Sequence, residues 1–354
     1  SKYWTRTHKF GIRIPRTIKE ARQIDAENGN TLWWDAICKE MNNVMVAFEV
    51  FDGSEDDLPP DFQFIKCHMI FDIKMGENFR RKARMVAGGH MTETPATITY
   101  SSVVSRDSVR IAFLYAALND LKVFACDIQN AYLTAKCREK IWCRAGPEFG
   151  DQEGKIMIIV RALYGLKSSG AAFRSLLAEK IWEEGFRPSP ADDDVWIRPA
   201  VKPDGKNYYE YLLCYVDDIL GISHNPDMLK SVIGVPPFAI KDEKIEEPES
   251  YLGVDMTKMI NCEGNECWAM SADSYCAAAV ANVEKVLNDK GLKLPSKCRT
   301  PMTHGYRPEL DATAELKADG VKWYQELMGM LMWAAEIGRI DILTEKQMLS
   351  QHMA

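Results

Sequence analysis

Several familiar signals are missing from this sequence of 354 residues, and each absence narrows the field. No apolar run approaches the roughly 20 residues that cross a bilayer as a helix. The opening SKYWTRTHKF is too polar for a secretory leader and has no initiator Met, so it reads as a piece cut from a longer chain. Ten cysteines occur without a single CxxC pair; the nearest two, Cys262 and Cys267, have no second pair or His set at zinc spacing. That excludes a zinc ribbon, and the thiols read as reduced and buried in an intracellular protein. A positive excess is missing too: 44 Lys and Arg face 51 Asp and Glu, a net charge of -7. Such a balance argues against a simple phosphate-gripping domain.

Charge distribution says more than its sum. Acidic residues bunch in 52–61 (DGSEDDLPPD) and 241–250 (KDEKIEEPES), both Pro-containing and loop-like. Between Lys66 and Arg84 the sign reverses: Lys66, Lys74, Arg80, Arg81, Lys82 and Arg84 oppose Asp72 and Glu77. This basic stripe keeps a phosphate-bearing partner in play, although a charge run alone is as readily a solvated face. With hydrophobic content of 46%, the chain can bury cores for two or three lobes.

Residues 1–30 show no clear period and read as a loosely ordered lead-in. Thr31 then caps a helix with Trp34, Ile37, Cys38 and Met41 on one face. Phe62–Ile73 and Lys82–Ala87 alternate like strands, and Gly88-Gly89 breaks the second. Asp107 is the expected N-cap of a helix burying Val109, Ala112, Phe113 and Ala116, followed by a strand at Leu121–Ile128. A helix from Gly170 to Gly185 turns Phe173, Leu176, Leu177 and Ile181 inward. Tyr208–Ser223 reads as strand, two-aspartate turn, strand, and Trp323–Ile337 as a Met-rich helix. Without a strict βαβ rhythm, the fold class is α+β.

The chemistry concentrates at Tyr215-Val216-Asp217-Asp218. Two carboxylates ~4 Å apart repel by about 4 kcal/mol at an effective dielectric near 20. A divalent cation with its preference for hard oxygen would relieve this; a plain polar hairpin turn is the alternative. Asp127 closes the apolar strand LKVFAC and could complete a three-carboxylate cluster, or merely end a strand. Tyr132 could rest its ring against a sugar, or pack in the core. None of these decides the matter alone.

Their order does. DIQNAYL, then ALYGLKSSGAAF at 162–173, then YVDD resembles motifs A, B and C of reverse transcriptases in number, order and separation. The flanks TLWWDAICKEM, RKARMVAGGH, YSSVVSRDSVRIAF, REKIWCRAGPEF, SYLGVDMTK and WYQELMGMLMWAAEIGRIDI resemble successive blocks of the copia-type (Pseudoviridae) LTR retrotransposon polymerase domain. The likeness runs over residues 31–342.

The resemblance implies an RNA-directed DNA polymerase using two Mg²⁺ ions, with Mn²⁺ as a substitute, on an RNA or DNA template–primer and dNTPs. Asp127, Asp217 and Asp218 match the metal-binding aspartates, with Ile128 beside them. Ile128, Gln129 and Asn130 would offer backbone groups to the triphosphate, Lys82 and Arg84 its basic holders, Gly165 the wall of that pocket. Tyr132 matches the aromatic gate against a ribose 2′-hydroxyl. Lys167, Ser169 and Tyr215 would face the template–primer, and Tyr251, Leu252 and Gly253 match the primer grip.

It further implies a right-hand polymerase with an antiparallel ferredoxin-like palm, split fingers and a helical thumb. The lead-in would be 1–61, fingers and palm 62–265, thumb and the start of a connection 266–354, with no RNase H portion. Other parts of a Pol polyprotein would be partners, there would be no membrane, and the setting would be a cytoplasmic virus-like particle or the nucleus. Two departures stand out. Tyr164 replaces the Gln of retroviral versions, as in copia-type members, and Arg339-Ile340-Asp341 replaces the family's Arg-Pro-Asp. A catalytically silent remnant and a metal-dependent nuclease are the rival readings.

Overall fold

Contacts within the chain divide it into two units, residues 1–112 with 121–246, and residues 113–120 with 247–354. The computed structural model describes residues 8–9, 12–74, 79–93, 95, 99–298, 300, 302, 305, 307, 310 and 312–353. Glu77, one of the acids set against the basic stripe, lies outside these residues, as does much of 1–11.

The first unit carries an antiparallel five-stranded sheet in the order Arg187–Ser189, Asp192–Val201, Asn207–Tyr215, Asp218–Ser223, Lys122–Asp127. Of its central strands, Asp218–Ser223 is buried at every residue after Asp218, while Asn207–Tyr215 alternates over its first half. Phe173, Leu177 and Ile181 of the helix Ser169–Glu183 share one core with Leu212, Ile219 and the short helix Met228–Ile233. Each such side chain contributes about 1.5–3 kcal/mol on burial. Gly185 ends the long helix in a left-handed conformation, φ 88°.

A second core in the same unit joins the helices Ile18–Asn28 and Leu32–Val44 to the hairpin of Cys67–Lys74 with Arg80–Ala87. Four short strands complete it: Phe48–Phe51, Ile156–Ile159, Ile141–Arg144 and Gln63–Phe64, only the last pair parallel. The expected single strand over Phe62–Ile73 is therefore two strands in two sheets.

The loose lead-in is corrected by the helix Ile18–Asn28, where the Thr17 hydroxyl accepts from the Glu20 N–H. Its buried face is only Ala21, Ile24 and Asp25, too narrow to print a period on the sequence. Asp25 caps the next helix by accepting from the N–H groups of Trp33 (3.1 Å) and Trp34 (2.8 Å). Thr31 holds the cap position, but its hydroxyl donates to Asp35 instead. Trp33, at 1% exposure, takes the core place expected of Trp34, which lies beneath the Arg22 guanidinium. Likewise Ser105, not Asp107, caps the helix Arg106–Leu118 by accepting from the Ser108 N–H, while Val109, Ala112, Phe113 and Ala116 are buried as expected.

The second unit has a three-stranded antiparallel sheet, Ser250–Tyr251, Val254–Ile260 and Glu266–Ser271, with helices Asp273–Asp289, Ala318–Ile337 and Leu343–Ser350. Helices and mainly antiparallel strands, with Gln63–Phe64 and Ile141–Arg144 the parallel exception, make the chain α+β. All ten cysteines are free. Among the described residues no helix is long and apolar enough to cross a membrane.

Candidate active site

Antiparallel register builds the acidic end of the site. Asp127 is the Cα partner of Asp218, Tyr215 of Asp218 across the hairpin, and the Ile128 N–H donates to the Asp217 carbonyl at 2.8 Å. Cα atoms of paired residues in such a ladder lie about 4.5–5.5 Å apart. The backbone therefore gathers three carboxylates drawn from two sequence regions at one end of the sheet. The turn is made at Val216 with φ 58°. A β-branched residue there is strained by about 1–3 kcal/mol, and such strain clusters at functional sites. Asp is at home in a turn, but Val at its left-handed position is not.

The electrostatics show a cluster short of positive charge. Burial, then the charge of Asp127, raises the Asp217 carboxyl above its ordinary range. Burial with Asp217 and Asp127 pushes Asp218 up to about 6, although its side chain still meets solvent, which screens part of the effect. Among the described residues no three His, Cys, Asp or Glu side chains converge to hold a metal ion as they stand. Asp127 instead pairs with Lys241 at 2.5 Å. The donor set still fits a divalent cation in kind: hard carboxylate oxygens whose mutual repulsion such an ion would remove.

Lys241 was not foreseen, because it opens the acidic stretch KDEKIEEPES. Its position is tertiary: Ile240 bridges to Ile128, Ala239 accepts from the Gln129 N–H at 2.9 Å, and Glu246 bridges to Ala125. The N–H groups of Ile128 and Gln129 are thus already engaged. Asn130 follows in a left-handed conformation, φ 50°, and starts the short helix Ala131–Thr134 that carries Tyr132. The Tyr132 ring meets Tyr164 edge-on at 4.9 Å and Phe173 at 6.0 Å, so it is braced on two sides. Burial and the charge of Asp217 raise its hydroxyl above the ordinary range.

The basic end is the strand Arg80–Ala87. Arg84 lies 5.0 Å over the Tyr164 ring, and its charge acts on Asp217. Lys82 is depressed to about 8, chiefly by burial and then by Arg84 and Lys74. Gly165, φ +93°, packs backbone to backbone against this strand: a Cβ there would lie 2.1 Å from the Ala87 carbonyl oxygen. Only glycine fits. The Lys167 ammonium donates to the Thr92 carbonyl at 2.6 Å, and the buried Ser169 hydroxyl donates to the Leu163 carbonyl at 2.7 Å. Ser169 shapes its loop from inside, while Tyr215 stands partly exposed at the end of its strand.

Tyr251, Leu252 and Gly253 belong to the second unit. They form the tight turn between its first two strands, with Leu252 at φ 50° and Gly253 at φ 78°.

Acids at a sheet end, a basic strand and a braced aromatic thus belong to one unit of the chain. A family model described as reverse transcriptase (RNA-dependent DNA polymerase) matches residues 53–303. Curated relatives include the retrovirus-related Pol polyprotein from transposon RE1 of Arabidopsis thaliana, 27% identical over 240 residues, 64% of this chain and 16% of the relative. That from transposon TNT 1-94 of Nicotiana tabacum is 23% identical over 297 residues, 81% of this chain and 21% of the relative. The transposon Ty1-DR4 Gag-Pol polyprotein of Saccharomyces cerevisiae is 24% identical over 333 residues, 90% of this chain and 20% of the relative. The chain belongs to the reverse transcriptase family, in its copia-type retrotransposon branch. It spans about a sixth to a fifth of the length of these relatives.

Proposed function

We propose that this chain is the polymerase domain of a copia-type Pol polyprotein, an RNA-directed DNA polymerase that joins a dNTP to a primer 3′-hydroxyl. The observation that carries the reading is the register that sets Asp127 against Asp218, with Asp217 at the strained turn between the paired strands. Asp127 and Asp217 would hold two Mg²⁺ ions, or Mn²⁺ in their place, with Asp218 supporting and Ile128 beside them. When bound, such a pair lowers the pKa of the primer hydroxyl and neutralises the leaving pyrophosphate.

The chain's own residues then have a positioning task. Lys82 and Arg84 receive the triphosphate, and an approaching anion restores full charge to the Lys82 ammonium. Gln129 and Asn130 border the same pocket, and Gly165 lets the neighbouring loop close on it. Tyr132, braced by Tyr164 and Phe173, leaves no room for a 2′-hydroxyl. Lys167 and Tyr215 line the template–primer path, Ser169 braces the backbone beneath it through Leu163, and the turn Tyr251–Gly253 grips the primer. Lys241 releases Asp127 when cations enter.

In the right-hand arrangement, fingers would span 62–100 and 135–170, and the ferredoxin-like palm 101–134 and 171–265, with the thumb following. Template–primer, dNTPs and the rest of the polyprotein would be the partners, in a cytoplasmic particle or the nucleus.

A second reading, a silent nucleic-acid-binding remnant, is favoured by the Lys241–Asp127 pair and the net charge of -7. Primer extension on poly(rA)/oligo(dT) with Mg²⁺ and with Mn²⁺ separates the two. The polymerase incorporates dTTP; a remnant binds the primed template and incorporates nothing with either ion.

A further inference from the structure

The strand that carries Lys82 and Arg84 has one ladder partner, Cys67–Lys74, so its other edge needs acceptors from elsewhere. Two are present. The Ala87 N–H donates to the Tyr164 carbonyl at 2.8 Å, and the Met85 N–H donates to the Glu40 carboxylate at 2.9 Å. Glu40 reaches over from the helix Leu32–Val44, which packs against this strand. Arg84 directly precedes Met85, and its guanidinium stands over Tyr164. Both clamps, at Met85 and Ala87, therefore hold one strand edge just beyond Arg84. Burial pushes the Glu40 carboxyl up, while the Met85 N–H and the charges of Arg84 and Lys82 draw it back down. Glu40 lies on the half-buried side of its helix, where an unpartnered acid would be costly.

From this arrangement we infer that Glu40 is a positioning residue: by holding the Met85 N–H it fixes the strand edge from which Arg84 and Lys82 reach the nucleotide, and so sets nucleotide affinity rather than turnover. This rests on the reading of Lys82 and Arg84 as the triphosphate holders. Reach matters here more than charge. A side chain of the same length with an amide oxygen still accepts the Met85 N–H; a carboxylate one methylene shorter does not.

The test uses the whole chain, with Glu40→Gln and Glu40→Asp. Hydrogen exchange at Met85 is read alongside KM and kcat for dTTP on poly(rA)/oligo(dT). Glu40→Asp is expected to speed Met85 exchange and raise KM, each by about fivefold to tenfold, with kcat within about twofold. Glu40→Gln stays within about twofold of the native chain on every count. Glu40→Asp behaving as native, or Glu40→Gln as poor as Glu40→Asp, overturns the inference. A native chain that extends no primer removes the polymerase reading, and Met85 exchange alone then decides the clamp: an unchanged rate in Glu40→Asp overturns it.

Discussion

The two ends of the site are built by opposite means. At the acidic end a five-stranded sheet fixes the backbone, and its register sets Asp127 opposite Asp218 with Asp217 next in sequence. The basic end sits on a two-stranded ribbon whose free edge is held by one carboxylate and one carbonyl. Both ends are charge-crowded, with Asp218 pushed up to about 6 and Lys82 down to about 8. Burial heads the causes in each case. Lys241 pairs with Asp127 at one end and Glu40 acts on Lys82 at the other, yet like charges outnumber them at both; under the proposed function, a nucleotide triphosphate carried with divalent cations would supply the balance. Crowded charge of one sign is tolerated where a ligand of the opposite sign repays the repulsion.

Breaking the acidic end has the largest expected effect. Asp217→Asn lowers primer extension by at least about a thousandfold while primed-template binding, followed by filter retention, stays near native. The basic end breaks through its backbone contact. Gly165→Ala places a methyl 2.1 Å from the Ala87 carbonyl at φ +93°, and urea denaturation should show a loss of about 3 kcal/mol. Between the ends, Tyr132→Val opens the space over the sugar. Discrimination of dTTP from UTP, measured as a ratio of kcat/KM, should fall by about tenfold to a hundredfold.

The smallest effect sharpens the comparison. The Asp218 carboxyl is raised in the fold, so the folded state holds its proton more tightly than the unfolded chain does. Its contribution to stability is then greatest below about pH 4 and declines as pH rises through about 6. Asp218→Asn, with cations removed by chelation, should stabilise the chain at pH 8 by about 1 kcal/mol or less, given solvent screening. The gain should vanish below about pH 4.

The hairpin with its aspartates was legible because apolar strands flank the pair, although a plain polar turn fitted it as well until its order after DIQNAYL and ALYGLKSSGAAF was weighed. Asp127 was legible as the polar end of an apolar run. Lys241 was not, because its neighbours in sequence are acids and its partner is Asp127, reached through the Ile240–Ile128 bridge. Glu40 and Asp25 look like ordinary helix acids; only tertiary packing turns one into a strand clamp and the other into a cap for Trp33 and Trp34. Ser169 was expected to face the template–primer, but a sequence does not say that its hydroxyl points inward to Leu163. Periodicity assigns faces. It does not assign partners across elements.

Counting bound Mn²⁺ by electron paramagnetic resonance tests the shared-cation claim most directly. With primed template and dTTP present, the native chain should hold two ions, and a folded Asp127→Asn/Asp217→Asn double variant none above background. Equal Mn²⁺ binding by the two proteins would contradict the account.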